Sequence, residues 1–219
     1  MTSILRDCYV YIPGKGNNRI NAAYAFGRAD LLIRTIEANF DLRIDRFAIV
    51  NFTGFENVVN TIGGLNITVD SAEHEIIQRF IPNISPVSSS GGRYRYCMNG
   101  NQALRYVRLR KGAGSDFSRT MRQQAAIRAL MDQAKDMSIS ELNAMLEAVL
   151  PLITTDLTRT DLLSMIANAE SYLSYERVSV QIPVADGYTN IRINGAAVLS
   201  LDFEKNKSAL YKAIYGIDY

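Results

Sequence analysis

Short runs rich in β-branched and aromatic residues, each closed by turn residues, alternate in this chain with longer segments of helical apolar spacing. That alternation restricts the fold more than any other feature. Cys8 to Ile12 reads as a strand that ends in the turn chemistry of Pro13-Gly14-Lys15-Gly16-Asn17-Asn18. Asn21 to Phe40 reads as a helix through Tyr24, Leu31, Ile33, Thr35 and Ile36. Ile44 to Phe52 reads as a strand, and Thr53-Gly54-Phe55-Glu56 has the form of a capping box opening a helix that Gly63-Gly64 closes. Leu65 to Val69 is a further strand, and Pro82 to Gly92 an exposed Ser/Gly/Pro loop. Helices are expected from Phe117 to Lys135, Ser140 to Leu150 and Thr160 to Tyr172, the last two behind Ser138 with Glu141 and Thr158 with Asp161. Val178 to Val184 and Tyr188 to Ile193 form a late strand pair, and Asp202 to Tyr215 closes the chain as a helix. Strands interleaved with helices predict one α/β domain over residues 1–219, a layered α-β-α arrangement with a central mixed sheet covered by helices.

Composition narrows the partners. A net charge of +2, with 21% charged and 47% hydrophobic residues, gives little long-range field and no basic block, which argues against nucleic acid. No run of about eighteen apolar residues spans a bilayer, and the first residues lack a signal-peptide pattern. Cys8 and Cys97 have no paired metal spacing, so either a disulfide or two free thiols is open.

Against that modest charge, five arginines fall within residues 105–122, in Arg105-Tyr106-Val107-Arg108-Leu109-Arg110 and Asp116-Phe117-Ser118-Arg119-Thr120-Met121-Arg122. A guanidinium stays charged and offers a planar fork that matches phosphate oxygens. Asp116 is expected to cap the helix, which places Arg119 at its third position and Gln123 one turn on, near free backbone N–H groups and the positive end of the dipole. The helix from Asn101 is expected to end near Tyr106, with Arg108 to Lys111 extended into a Gly112 to Ser115 loop. Two readings stand side by side: an oligophosphate site, or a solvated face of salt bridges to Asp116. Arg122 and Arg128 fall elsewhere on the helix and read as surface residues. His74, the sole histidine, reads as a surface residue in Glu73-His74-Glu75. No Ser-His-Asp set forms around it, and Gly14-Lys15-Gly16 is a turn rather than a phosphate-binding loop. Leu146, Val149, Leu150, Leu162, Leu163 and Ile166 suit a lipid pocket and an ordinary core equally well.

These residues resemble a family. Arg105 to Arg110, the Asp116-Phe117-Ser118-Arg119 step and Arg122-Gln123-Gln124 look like the signature of LytR-CpsA-Psr proteins, the phosphotransferases of Gram-positive cell envelopes. Further blocks follow in the family's order: Ser3-Ile4-Leu5-Arg6-Asp7, Tyr9 to Gly14, Arg19 to Ala25, Val50 to Phe55, Gly63-Gly64-Leu65, Asn99 to Leu104, and Gln181-Ile182-Pro183 onward. The resemblance implies transfer of a glycopolymer phosphate, such as teichoic acid or capsular polysaccharide, from a polyprenyl-pyrophosphate carrier to peptidoglycan. It implies an arginine-lined site at the mouth of an apolar lipid pocket, and a divalent cation, Mg2+ or Mn2+. By motif position Arg6, Arg108, Arg110, Arg119 and Gln123 would contact the pyrophosphate. Asp7 and Asp116 would orient those arginines, and Arg6, Arg119 and Asp116 would form the catalytic set. The family's metal-binding aspartate lies upstream of the Ser-x-x-Arg-Asp block, whereas Met1 stands five residues before Arg6. A truncation that removes that ligand, the first strand and a membrane anchor, from a protein placed at the extracellular face of the membrane, is therefore expected. The other class of function is a non-catalytic binder of polyprenyl phosphate or polyanion, or a regulatory envelope protein.

Overall fold

In the computed structural model the described residues are 1–110, 116–217 and 219. In chain order the elements begin β1 (Thr2–Ile4), β2 (Cys8–Ile12), β3 (Gly16–Arg19), α1 (Ile20–Phe40), β4 (Ala48–Val50), α2 (Phe52–Thr61) and β5 (Leu65–Val69). They continue with α3 (Ser71–Phe80), β6 (Ser88–Ser90), β7 (Arg93–Met98), α4 (Gly100–Arg108), α5 (Asp116–Lys135), α6 (Ile139–Val149), β8 (Ile153–Thr155), α7 (Arg159–Ala167) and α8 (Ala169–Ser174). The chain ends with β9 (Val180–Ile182), β10 (Tyr188–Ile193), β11 (Ala196–Leu201) and α9 (Phe203–Tyr215). The α/β class is as expected. Contacts divide the chain into two units, Met1–Phe47 with Glu176–Tyr219, and Ala48–Tyr175.

The first unit is built on a mixed sheet of order β10-β11-β2-β3, in which β11 runs parallel to β2 and the outer pairs are antiparallel. Alternation explains β2: Cys8, Val10 and Ile12 are buried while Tyr11 is exposed. α1 is interrupted at Gly27 (φ −153°) and Arg28 (φ 54°), then resumes to bury Leu31, Thr35 and Phe40. The expected late strand pair is corrected. β9 pairs in parallel with β1, whereas β10 pairs with β11 through Asn194-Gly195, both residues at positive φ. Asn-Gly is the sequence signal of a tight hairpin whose turn matches strand twist.

Cys8 and Cys97 are free thiols, Cys8 buried and Cys97 exposed. Burial pushes the Cys8 thiol up from 9.0 to about 12. The folded state therefore keeps a proton that the unfolded chain releases above pH 9, so stability is unchanged below that pH and falls as pH rises toward 12. Melting curves from pH 8 to 11 should show this slope, and Cys8→Ala should flatten it. A native thiol titration should label Cys97 alone.

The second unit carries a three-stranded antiparallel sheet, β5-β7-β6, and the short pair β4-β8. One face of the larger sheet buries Leu65, Ile67, Val69, Tyr96 and Met98 with Ile77 of α3, Tyr106 of α4 and Ala126 of α5. Two expected boundaries move. The strand before α2 covers only Ala48–Val50, and the cap is Asn51, whose side chain accepts from Gly54 N, rather than Thr53. Asn51, two residues earlier, caps through the Gly54 N–H, so the helix starts there. Gly63 and Gly64 (φ 81° and 102°) end the segment as expected, because left-handed backbone costs glycine no Cβ clash. α3 was not among the expected helices; Asp70 caps it by accepting from Glu73 N. The loop expected from Pro82 to Gly92 contains β6. The capping boxes at Ser138 with Glu141 and Thr158 with Asp161 form as predicted, ahead of α6 and α7.

Candidate active site

In the first unit, Arg6 and Asp7 occupy the turn between β1 and β2. Backbone bonds hold it: Asn21 N donates to Arg6 O and Leu199 N to Asp7 O. Asp7 Oδ2 accepts from Arg6 Nε at 3.2 Å, and Arg19, at the start of α1, stands 3.5 Å from Oδ1. One carboxylate thus stands between two guanidinium groups. Arg19 was not singled out from sequence as a site residue. Its pairing with Asp7 depends on the β2–β3 register, Tyr9 opposite Arg19.

In the second unit, α4 opens on a capping box in which Asn99 and Gln102 satisfy each other's backbone N–H groups. It runs to Arg108 rather than ending near Tyr106. Arg105 and Arg108 in the last turn suit the negative end of the helix dipole, which favours the two added residues. Leu109 then leaves the helix (φ −55°, ψ 130°). Lys111 to Ser115, the rest of the expected extended loop, lie outside the described residues. Asp116 is the first residue of α5 and not its cap, with its carboxylate still at the positive end of the dipole.

That carboxylate joins two candidate arginines. Asp116 Oδ1 stands 3.3 Å from Arg110 Nε and 3.1 Å from Arg119 NH1, with the Arg119 side chain only 13% exposed. Arg108 is exposed and lies over the Phe52 ring, 4.2 Å from its centroid. Arg108 and Arg110 line a cavity of about 540 Å3 with Arg105, Glu56, Asn101 and Phe80. Sequence reasoning passed over Glu56 and Asn101. The spacing of Asn101 and Arg105, which places Arg105 Nε 3.0 Å from Asn101 Oδ1, was the available signal. Gln123 Nε2 donates to Val107 O at 3.4 Å, so the side chain is turned toward the end of α4.

Two surface expectations are corrected. Arg122 is 4% exposed and pairs through Nε and NH2 with both oxygens of Glu73, at 2.5 and 3.1 Å. The helical turn that exposes Arg128 faces Arg122 toward α3, which the sequence reading lacked. His74 is half-buried: it stacks on Tyr94 at 3.7 Å, and its Nδ1 is 2.6 Å from the Tyr96 hydroxyl. Gln78 Nε2 donates to that hydroxyl at 2.9 Å, leaving the phenol proton for Nδ1. The histidine is engaged in packing and has no catalytic geometry.

Two carboxylates and several arginines do not make a cation cage. Among the described residues no three of His, Cys, Asp and Glu cluster as metal ligands. Asp7 Oδ1 is buried without a hydrogen bond, but Arg19 stands beside it, and Asp116 is already bridged by two arginines. A cation at either carboxylate would meet guanidinium charge at close range. These residues do not fit a metal site on their own.

The apolar positions divide, and Leu163 fits neither a core nor a pocket. Leu162 is buried, Leu163 is exposed, and Ile166 lines a cavity of about 510 Å3 with Ile139, Leu142 and Met137. No helix among the described residues is long and apolar enough to cross a membrane.

An arginine-bearing helix start with this order of blocks defines a family, and the LytR-CpsA-Psr sequence profile matches residues 1–214. The chain belongs to the LytR-CpsA-Psr family. It is 39% identical over 140 residues to the polyisoprenyl-teichoic acid–peptidoglycan teichoic acid transferase TagT of Bacillus subtilis, a match covering 63% of this chain and 42% of that protein. It is 25% identical over 212 residues to the regulatory protein MsrR of Staphylococcus aureus, covering 96% of this chain and 62% of that one. The chain thus spans about half the length of the curated relatives it matches. Among solved structures it resembles YwtF (TagT) with bound octaprenyl pyrophosphate lipid, with a TM-score of 0.71 at 26% identity over 99% of this chain and 78% of that one.

Proposed function

We propose that the protein transfers a glycopolymer phosphate from a polyprenyl-pyrophosphate carrier to a hydroxyl of peptidoglycan, at the extracellular face of a Gram-positive cell membrane. The observation that carries the reading is Asp116, which holds Arg110 and Arg119 together at the start of α5. Two guanidinium groups against one carboxylate leave net positive charge, already ordered, at the positive end of the helix dipole. The structural relative with octaprenyl pyrophosphate and the transferase name of TagT support the donor and the reaction.

The acceptor oxygen attacks the glycan-side phosphorus, the P–O–P bridge breaks, and polyprenyl phosphate departs with the bridging oxygen while the hydroxyl proton passes to solvent. Such transfer needs positioning and neutralisation of charge on the equatorial and leaving oxygens more than covalent chemistry. Arg108, Arg110, Arg119 and Gln123 bind the donor pyrophosphate in this reading, and a role for Arg6 rests on its motif alone. Asp116 and Asp7 orient their arginines. The cavity lined by Ile139, Leu142 and Ile166 takes part of the isoprenoid chain. Mg2+ or Mn2+ would add charge neutralisation; the reading takes it from the resemblance, and no step here runs through it. A membrane anchor is likewise part of the proposal.

Equilibrium binding tests the reading directly. Polyprenyl pyrophosphate should bind at least about tenfold more tightly than the corresponding monophosphate, which offers fewer oxygens to the arginines. The gap should shrink with EDTA if a cation takes part. Equal affinity for the pyrophosphate and the neutral polyprenyl alcohol would refute the arginine site.

A further inference from the structure

Arg122 and Glu73 form a buried ion pair that the transfer chemistry leaves unused. We propose that they are positioning residues: the Arg122 guanidinium, clamped by Glu73, holds the Leu109 carbonyl and thereby sets the direction of Arg108 and Arg110. The inference rests on the pyrophosphate reading for what those arginines bind.

The geometry is specific. Arg122 spends Nε and NH2 on the two Glu73 oxygens and donates its remaining nitrogen, NH1, to Leu109 O at 3.3 Å. Leu109 is the residue at which α4 leaves the helix, and it separates Arg108 from Arg110. The last carbonyls of a helix have no partner within it and need one from elsewhere. α5 supplies two from consecutive residues, since Gln123 Nε2 reaches Val107 O. On the other side, Glu73 sits in the first turn of α3, where the dipole favours a carboxylate. One planar fork therefore ties α3 and α5 to the residue between two phosphate-binding candidates. Lysine, a single point charge on a flexible stem, does not reproduce three directed contacts.

A buried ion pair is weak support for stability, because desolvation offsets the attraction and well-packed apolar replacements are often as stable. That fact separates positioning from mere stabilisation. The double variant Glu73→Leu/Arg122→Met should keep a melting temperature near that of the parent yet lose the tie to Leu109. Two quantities are then read on folded protein: calorimetric affinity for methylenebisphosphonate, a non-hydrolysable pyrophosphate analogue, and the Nε–Hε resonance of Arg110 in ligand-free NMR spectra. Misdirecting the two arginines costs charge-assisted hydrogen bonds to the bisphosphonate, so affinity should fall about tenfold or more, with the Arg110 resonance displaced. Arg122→Lys should fall between parent and double variant, and it carries the test if the double variant does not fold. A folded variant with parental affinity and an unmoved Arg110 resonance would overturn the proposal. If the parent itself fails to bind the analogue, the functional reading falls, and the resonance alone decides: displaced, the strut stands; unmoved, it does not.

Discussion

Arg119→Ala is expected to lower phosphate transfer by about 10²- to 10³-fold, the usual effect of removing one preorganised donor aimed at developing charge. Its side chain is 13% exposed and lies one turn into α5, so it combines a largely enclosed guanidinium with the positive end of the helix. Stability should change little. The lost pair with Asp116 is worth about 1 kcal/mol or less, and Asp116 retains Arg110. Steady-state rates with circular dichroism on the same preparation check both halves. Arg119→Lys should recover part of the activity, having the charge without the fork. A fully active, folded Arg119→Ala protein would remove this residue from the site.

The second large effect is structural. Gly100 opens α4 so close to α2 that an added Cβ would lie 2.2 Å from Glu56 O and 2.7 Å from its carbonyl carbon. That contact is with backbone, which has no rotamer through which to escape. Gly100→Ala should therefore cost about 2 to 3 kcal/mol, or roughly 5 to 10 °C in melting temperature for a chain of this size. The variant also pushes on the helix that carries Arg105 and Arg108, so activity per folded molecule should fall with it. A thermal melt within a degree of the parent would show that α2 and α4 are not packed as described.

Much of this arrangement was legible in local chemistry. Capping residues announced α6 and α7, short β-rich runs announced β2 and β5, and Gly63-Gly64 marked a chain reversal. Some failures were local, and the others needed a partner distant in sequence. β11 was missed although Ile193-Asn194-Gly195-Ala196 carries a hairpin signal, because the late strands were paired with each other instead of being sought elsewhere. α3 was missed because Glu73 and His74 look solvent-facing until Arg122, Tyr94 and Tyr96 are brought against them. Arg122 itself was set aside by helical angle alone, and an angle reveals which face a residue occupies but not what covers that face. The candidate site was easier to see, since its arginines crowd one short stretch. Asp7 and Asp116 were expected beside arginines, as found for Asp116 with Arg110 and Arg119; what sequence did not supply was Arg19 as the second partner of Asp7, opposite Arg6.

The most direct measurement of the central claim is incubation of the protein with a lipid-linked glycan and peptidoglycan oligomers, followed by mass spectrometry of the acceptor. The account predicts a covalent phosphodiester between glycan and peptidoglycan, equimolar release of polyprenyl phosphate, and loss of both in Arg119→Ala. Tight binding of the lipid-linked donor with no phosphodiester formed from any glycan tested would contradict it, and would leave a protein that holds the donor without transferring it.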